Sequence, residues 1–432
     1  MTRRAFLAAA ASASAWAQAP AKKPNIIFIL ADDLGINGLS CYGADHLRSP
    51  NLDRLAATGT RYTNAYTAPL CGPSRALILT GRYAFRTGAT NQDATGLMKP
   101  DVETMTPKVL KQAGYASVMI GKWGQLPLGP AQFGFDEHLK FTGSGTYWNT
   151  QDKGRKYVRN GETVKLADKE YLPDVMHRYL VDFITRHKDR PFFAYYSLSH
   201  VHAEILPTPD SAPDTKDYYP DNILYMDKLV GQLVAELDRL KLRDNTLIVF
   251  VGDNGTGSHY APTSTIGGKR ISGEKGSMLE GGANVPLIVN WPGKTPAGKV
   301  TADLIDSTDF LPTFAELAGA PLPAKTVIDG RTFAPQLQGK KGQPREWIFI
   351  QLARMWYVRD AKYKLDQTGQ LFDMSKAPFE EIPLPATAAA PARARLQAAL
   401  AKLNPAGGIL DTGDGTGRHA GRDANKKKKK ER

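Results

Sequence analysis

Two cysteines in 432 residues, Cys41 and Cys71, are too few for a scaffold stapled by several disulfides. They leave open a single bridge to each other, or a free thiol with chemistry of its own. Long apolar runs are also missing. Ala5–Ala17 is short and alanine-rich for a spanning helix, and no other segment is apolar enough to cross a bilayer. The mature chain is therefore expected to be soluble, with no stable membrane span. No basic segment is interleaved with aromatic residues, which argues against nucleic acid as a partner. Internal repeats at periods of about 20–50 residues are absent as well.

What remains is the composition of a globular protein, 42% hydrophobic and 23% charged, long enough for one large domain and a smaller one. The net charge of +13 is unevenly spread. Residues 411–432 hold eight lysines and arginines against four acids, including five consecutive lysines, and read as a disordered basic tail. The basic body is either a solvated surface or an attraction for an anionic substrate. Arg3-Arg4, the apolar stretch behind them and Ala17-Gln18-Ala19 read as a twin-arginine-like export signal over residues 1–19. That implies export machinery as a partner and a periplasmic or extracellular destination.

Between these ends, short apolar runs alternate with helical spacing, the mark of α/β architecture. Strands are expected at Ile26–Leu30, Ala116–Ile120, Phe192–Leu198, Thr246–Val251 and Pro286–Asn290. Thr106-Pro107 opens a helix that Gly114 should close. Val175, Tyr179 and Phe183 share one helical face, and Met226, Leu229, Leu233, Leu237 and Leu240 another. A break at Gly339–Gly342 separates a catalytic domain, residues 24–339, from a small α+β domain at 340–410 with short strands.

Polar residues collect just after the expected strands. Asp32-Asp33 follows the first, Lys122 the second, His200 and His202 the third, and Asp253-Asn254 the fourth. Ligands of open α/β sheets bind at the carboxyl ends of the strands. Any one pair could be a turn or cap, Asp253-Asn254-Gly255 above all. Four coincidences favour a site. Three carboxylates and an amide oxygen, without paired cysteines, suit a hard cation, and calcium accepts several protein oxygens more readily than magnesium. Cys71-Gly72-Pro73-Ser74-Arg75 opens a helix running towards Gly81, which puts Cys71 where backbone N–H groups favour an anion.

Cys71-x-Pro73-Ser74-Arg75 followed by Leu79-Thr80-Gly81-Arg82 resembles the signature of the type I sulfatases. Pro24-Asn25-Ile26, Ser49-Pro50-Asn51-Leu52-Asp53, Gly121-Lys122-Trp123, Gly252–Gly255, Gly273–Gly276 with Glu280-Gly281-Gly282, and Leu371–Met374 are similar to its further landmarks. The resemblance implies an alkaline-phosphatase-like α/β/α sandwich with a small C-terminal sheet domain, and hydrolysis of sulfate esters, with sulfated carbohydrate as the expected substrate. It implies that a formylglycine-generating maturation enzyme oxidises Cys71 to Cα-formylglycine. Asp32, Asp33, Asp253 and Asn254, with residue 71, would hold Ca2+. Arg75 would support the nucleophile, Lys122 and Lys275 would hold sulfate oxygens, and His202 would protonate the departing alcohol. His200 is its neighbour, with either a substrate-side or a structural role.

One position departs from the family. Gly124 stands where many relatives carry a histidine that helps expel sulfate, so His200, His259 or a water would have to serve instead. A phosphonate or phosphodiester hydrolase of the same superfamily and a non-catalytic glycan-binding relative are the alternative readings.

Overall fold

The computed structural model describes residues 22–141, 143–149 and 156–403. The expected export signal and the tail from Asp411 lie outside them, as does part of the loop at 142–161.

The described residues form seventeen strands: β1 (Asn25–Ala31), β2 (Thr60–Tyr66), β3 (Ala116–Lys122), β4 (Glu137–Phe141), β5 (Lys156–Arg159), β6 (Glu162–Lys165), β7 (Phe192–Ser197), β8 (Thr246–Gly252), β9 (Thr265–Ile266), β10 (Lys269–Arg270), β11 (Asn284–Asn290), β12 (Lys299–Asp306), β13 (Ile348–Leu352), β14 (Met355–Arg359), β15 (Tyr363–Asp366), β16 (Leu371–Asp373) and β17 (Ile382–Leu384). Ten of them form one mixed sheet in the order β12-β2-β11-β8-β1-β7-β3-β4-β5-β6. Its centre, β8-β1-β7-β3-β4, is parallel. β11 runs antiparallel to both β8 and β2.

The parallel strands are apolar nearly throughout because both of their faces are covered. Every residue of β1, β3, β7, β8 and β11 is buried. Alternate residues of β1 point to opposite sides. Ile27 and Ile29 join the core under the helices Leu172–Arg186 and Tyr219–Arg239. Ile26, Phe28 and Leu30 pack on the other side, against Phe310 and Phe314 of the helix Phe310–Ala318. The result is a three-layer α/β/α sandwich. β13 to β17 make a separate antiparallel sheet in sequence order, covered by the helix Ala390–Leu403 through Leu396.

The helix opened by Thr106-Pro107 stops at Lys111, short of Gly114. Ala113 and Gly114 donate to carbonyls three residues back, so the last turn tightens before Gly114 takes a positive φ of 83°. The helix at Cys71 runs to Thr80, where Gly81 in the left-handed region (φ 67°) donates to the Leu77 carbonyl. Asp32, Lys122, His200 and Asp253 all fall at or just beyond the carboxyl ends of β1, β3, β7 and β8.

Candidate active site

The strand ends continue to pair beyond the sheet. Asp32 N–H donates to the His200 carbonyl (2.7 Å), Val201 N–H to the Asp32 carbonyl (2.6 Å), and Asp253 N–H to Ala31 (2.9 Å). These bonds fix two carboxylates side by side. Asp33 then turns into the left-handed region (φ 58°), which aspartate tolerates, and its N–H donates to Asp253 Oδ1 at 3.0 Å.

Three carboxylates so close need compensation, and three cations supply it. Lys122 Nζ lies 2.6 Å from Asp32 Oδ2, Arg75 2.7 Å from Asp253 Oδ2 and 3.8 Å from Asp32 Oδ1, and Lys275 Nζ 2.6 Å from Asp33 Oδ1. Arg75, Lys122, Asp32 and Asp253 have no exposed side-chain surface. Burial pushes the Asp32 carboxyl up, but Lys122, His202, Arg75 and Lys275 together outweigh it and hold it well below the usual carboxylate range. Burial also dominates at Asp253, which with Asp32 as neighbour is pushed up to about 7 against the pull of Arg75 and Lys122. Burial pulls Lys275 down, and Asp33 more than restores it.

Two oxygens of this cluster are left over. Asp32 Oδ1 and Asn254 Oδ1 are buried and accept no hydrogen bond, while Asn254 Nδ2 donates to Asp33 Oδ1 at 2.9 Å. Buried acceptors without a donor are costly. Ligand atoms of Asp32, Cys71 and Asp253 lie within 4.8 Å of one another, as do those of Asp32, Asp33 and His202. Two buried oxygens without a donor, set among carboxylates at this spacing, fit an oxygen-preferring cation.

Cys71 begins its helix and is 1% exposed. It and Cys41 are free thiols, so they form no bridge. Two amides that the sequence did not single out flank it. Gln92 Nε2 donates to Cys71 Sγ at 3.0 Å while its Oε1 accepts from Gly72 N–H, and Gln125 Oε1 is 4.0 Å from the sulfur. Both line a cavity of about 440 Å³ whose wall includes Asp33, His202, His259 and Lys275. His202 is 21% exposed there, and burial, the largest influence on it, lowers its basicity. The His200 side chain goes elsewhere. It is fully buried among Tyr147, Tyr171 and Tyr225, its Nε2 is 2.9 Å from the Tyr171 hydroxyl, and burial lowers it to about 3.

Residues 24–320 match the family model of the sulfatases, and residues 272–400 that of the N-sulphoglucosamine sulphohydrolase C-terminal region. The chain is a member of the sulfatase family. N-acetylgalactosamine-6-sulfatase of Canis lupus familiaris is 33% identical, covering 83% of this chain and 74% of its own length. Human arylsulfatase A is 34% identical, covering 80% and 75%. The crystal structure of Ps i-CgsB in complex with k-i-k-neocarrahexaose superposes with a TM-score of 0.77 at 28% identity, covering 88% of this chain and 92% of that one. This sulfatase is thus an enzyme that hydrolyses sulfate esters.

At Gly124 the sulfatase has φ 73°, and a Cβ there would sit 3.1 Å from Arg75 Cδ. The place next to the backbone is taken by the arginine stem, while the following residue, Gln125, reaches towards Cys71. The loop bearing Lys275 is held from the far end of the chain. Ser272 N–H donates to the Pro378 carbonyl (2.9 Å) and Glu280 N–H to Glu381 Oε1 (3.0 Å). Arg359 on β14 pairs with Glu280 at 2.5 Å, both 2% exposed, and Tyr66 donates to the same carboxylate. The C-terminal sheet therefore anchors both flanks of the lysine loop.

Restoring the family histidine should harm this sulfatase. Gly124→His is expected to lower turnover of an aryl sulfate roughly tenfold or more, by displacing Arg75. A rise in steady-state rate would show that Arg75 yields without cost. Arg359→Met should leave Glu280 buried and unpaired and destabilise the fold by about 3–5 kcal/mol in denaturant titrations, with Arg359→Lys recovering part of that loss.

Proposed function

We propose that the enzyme removes sulfate from sulfated carbohydrate, using a Cα-formylglycine made from Cys71 and a calcium ion held by Asp32, Asp33, Asp253, Asn254 and residue 71. The observation that carries this reading is the convergence of a buried Cys71, Arg75 and clustered carboxylates, with Asp32 Oδ1 and Asn254 Oδ1 left without a donor. The names of its relatives support a sulfated sugar as substrate, since N-acetylgalactosamine-6-sulfatase is among them.

When bound, formylglycine would offer a hydrated aldehyde oxygen to sulfur, and calcium would supply positive charge beside it. The chain's own residues do the rest. Arg75 is fixed by donating to the Lys122 carbonyl (2.9 Å) and, on the same nitrogen, to Ser197, so it approaches residue 71 without reorganising. Lys275, on the cavity wall, holds sulfate oxygens, and Lys122, fully buried against Asp32, would have to turn its ammonium towards the cavity to share them. In the unliganded cavity His202 is a weakened base, and a bound sulfate anion favours its protonated form. That suits delivery of a proton to the departing alcohol oxygen. His200, walled in by tyrosines, acts through its backbone by holding Asp32.

The same reading assigns residues 1–19 to export, with a periplasmic or extracellular enzyme as the product, and requires a maturation enzyme. Residues 24–339 form its catalytic unit and 340–410 the smaller one. No helix among the described residues is long and apolar enough to cross a membrane.

Mass spectrometry of the tryptic peptide ending at Arg75 should find the aldehyde in active enzyme. An unmodified thiol in fully active protein would refute the nucleophile. Calcium binding should also depend on pH. Without a cation Asp253 keeps its proton up to about 7, well above an unfolded carboxylate, so its contribution to metal-free stability falls as pH rises through that window. Calcium must displace that proton, so the melting-temperature gain from calcium over EDTA should be larger at about pH 8 than at about pH 5.5. A gain independent of pH would remove Asp253 from the metal site, and Asp33→Ala and Asp253→Ala should both abolish it.

A further inference from the structure

The roles assigned so far leave the contact between Gln92 and residue 71 unused. The Gln92 amide can face only one way. Gly72 N–H donates to its Oε1 at 3.0 Å, and a backbone N–H cannot accept, so Nε2 is the end turned to Cys71 Sγ, 3.0 Å away. Gly72 is what admits the amide. A Cβ at that position would sit 2.8 Å from Gln92 Oε1 and 3.1 Å from Thr95 Oγ1. The backbone that carries Gln92 is tied down on both sides. Buried Asn91 accepts at Oδ1 from the N–H groups of Asp93 (3.1 Å) and Ala94 (2.8 Å). Ala353 N–H, in the turn between β13 and β14, donates to the Thr90 carbonyl (2.7 Å). The outcome is one fixed donor aimed at the side-chain heteroatom of residue 71.

With formylglycine at 71, the oxygen that takes the place of Sγ lies beside the carboxylates, since ligand atoms of Asp32, Cys71 and Asp253 fall within 4.8 Å of one another. That oxygen attacks sulfur and later leaves with it. It carries negative charge as it attacks, loses it on bonding to sulfur and regains it as sulfate departs. A fixed donor helps the step in which negative charge grows, and that step is the departure. We propose that Gln92 is a catalytic residue for sulfate release, its Nε2–H donating to the oxygen that joins residue 71 to sulfur. In that step the electron pair of the Cβ–O bond goes to the sulfate oxygen. The remaining hydroxyl of residue 71 becomes the aldehyde C=O, and its proton passes to a water in the cavity. The amides of Gln92 and Gln125 do not take that proton. A donor on the leaving oxygen thus offsets part of what a base at position 124 would supply. The proposal rests on the formylglycine reading and adds a residue to the second half of the reaction.

The test uses matured enzyme whose aldehyde content at residue 71 has been measured by mass spectrometry, with all rates normalised to it. Turnover of an aryl sulfate is stopped by rapid quench, and the share of the residue-71 peptide that carries sulfate is read alongside the alcohol released. Gln92→Leu should lower the steady rate roughly tenfold to a hundredfold and raise the sulfated share severalfold, while the first-turnover burst of alcohol slows by less than about threefold. Gln92→Glu keeps the bond from Gly72 but presents no fixed donor, and should behave alike. Gly72→Ala should reproduce the effect by pushing the amide away, and should add nothing to Gln92→Leu in the double variant. A fall in steady rate without a rise in the sulfated share would assign Gln92 to attack or to structure and overturn the proposal, as would an unchanged steady rate. Additive losses in the double variant would overturn the part given to Gly72. An unmodified thiol in fully active native enzyme would overturn the formylglycine reading instead.

Discussion

Everything at the rim of the sheet answers to one constraint: Asp32, Asp33 and Asp253 are brought together where water reaches only the cavity edge of Asp33. Three like charges at this range would drive the strand ends apart if left alone. The strand-end hydrogen bonds prevent that separation, so the charges must be balanced where they are. Arg75, Lys122 and Lys275 come from three different segments to do so. The helix that begins at Cys71 is tied to the sheet by the same pairing, because Arg75 lies one turn along it. Removing a carboxylate would therefore free a buried cation, and removing a cation a buried carboxylate. Either change leaves an uncompensated charge, which is why sheet, helix and lysine loop behave as one unit.

The parts of this arrangement that could be read from the sequence are those where local pattern and tertiary position coincide. β1, β3, β7, β8 and β11 are continuous apolar runs because parallel strands are covered twice, and the polar residues behind them mark the rim. Cys71 and Arg75 lie in a spacing that resembles a known motif. Other parts carry no such signal. β2, β12 and the β4-β5-β6 edge mix polar and apolar residues, since their pairing depends on partners far away in the chain. Gln92 and Gln125 are single amides with no periodicity, and only the fold brings them to the sulfur. His200 and His202 show the reverse difficulty. Two residues apart in the sequence, one turns into a tyrosine cage and the other into the cavity.

Gly124 illustrates how an absence in sequence can be a presence in space. Read against relatives, it is a missing base. In the fold, its positive φ and the Arg75 stem, 3.1 Å from where a Cβ would sit, make a side chain strained and tight, while Gln125 supplies a neutral amide near residue 71. An amide can orient a hydroxyl but does not take up a proton near neutral pH. Where the resemblance leads one to expect a titratable neighbour, this site thus holds a non-titratable one.

The burial of Cys71 also has a meaning in time. Its thiol is 1% exposed, and every residue of its helix, Cys71–Thr80, is buried. The Lys275 loop beside it is held by Pro69, Thr256 and Asp33 and, at both flanks, by contacts from Arg359, Pro378 and Glu381, near the end of the described chain. A second protein cannot insert its own active site into such an interior. Any enzyme that alters this thiol must meet residue 71 while the chain is still open. On the formylglycine reading proposed above, the interval for doing so would close as the chain folds around residue 71, and synthesis order, rather than the finished surface, would decide whether a given molecule becomes competent.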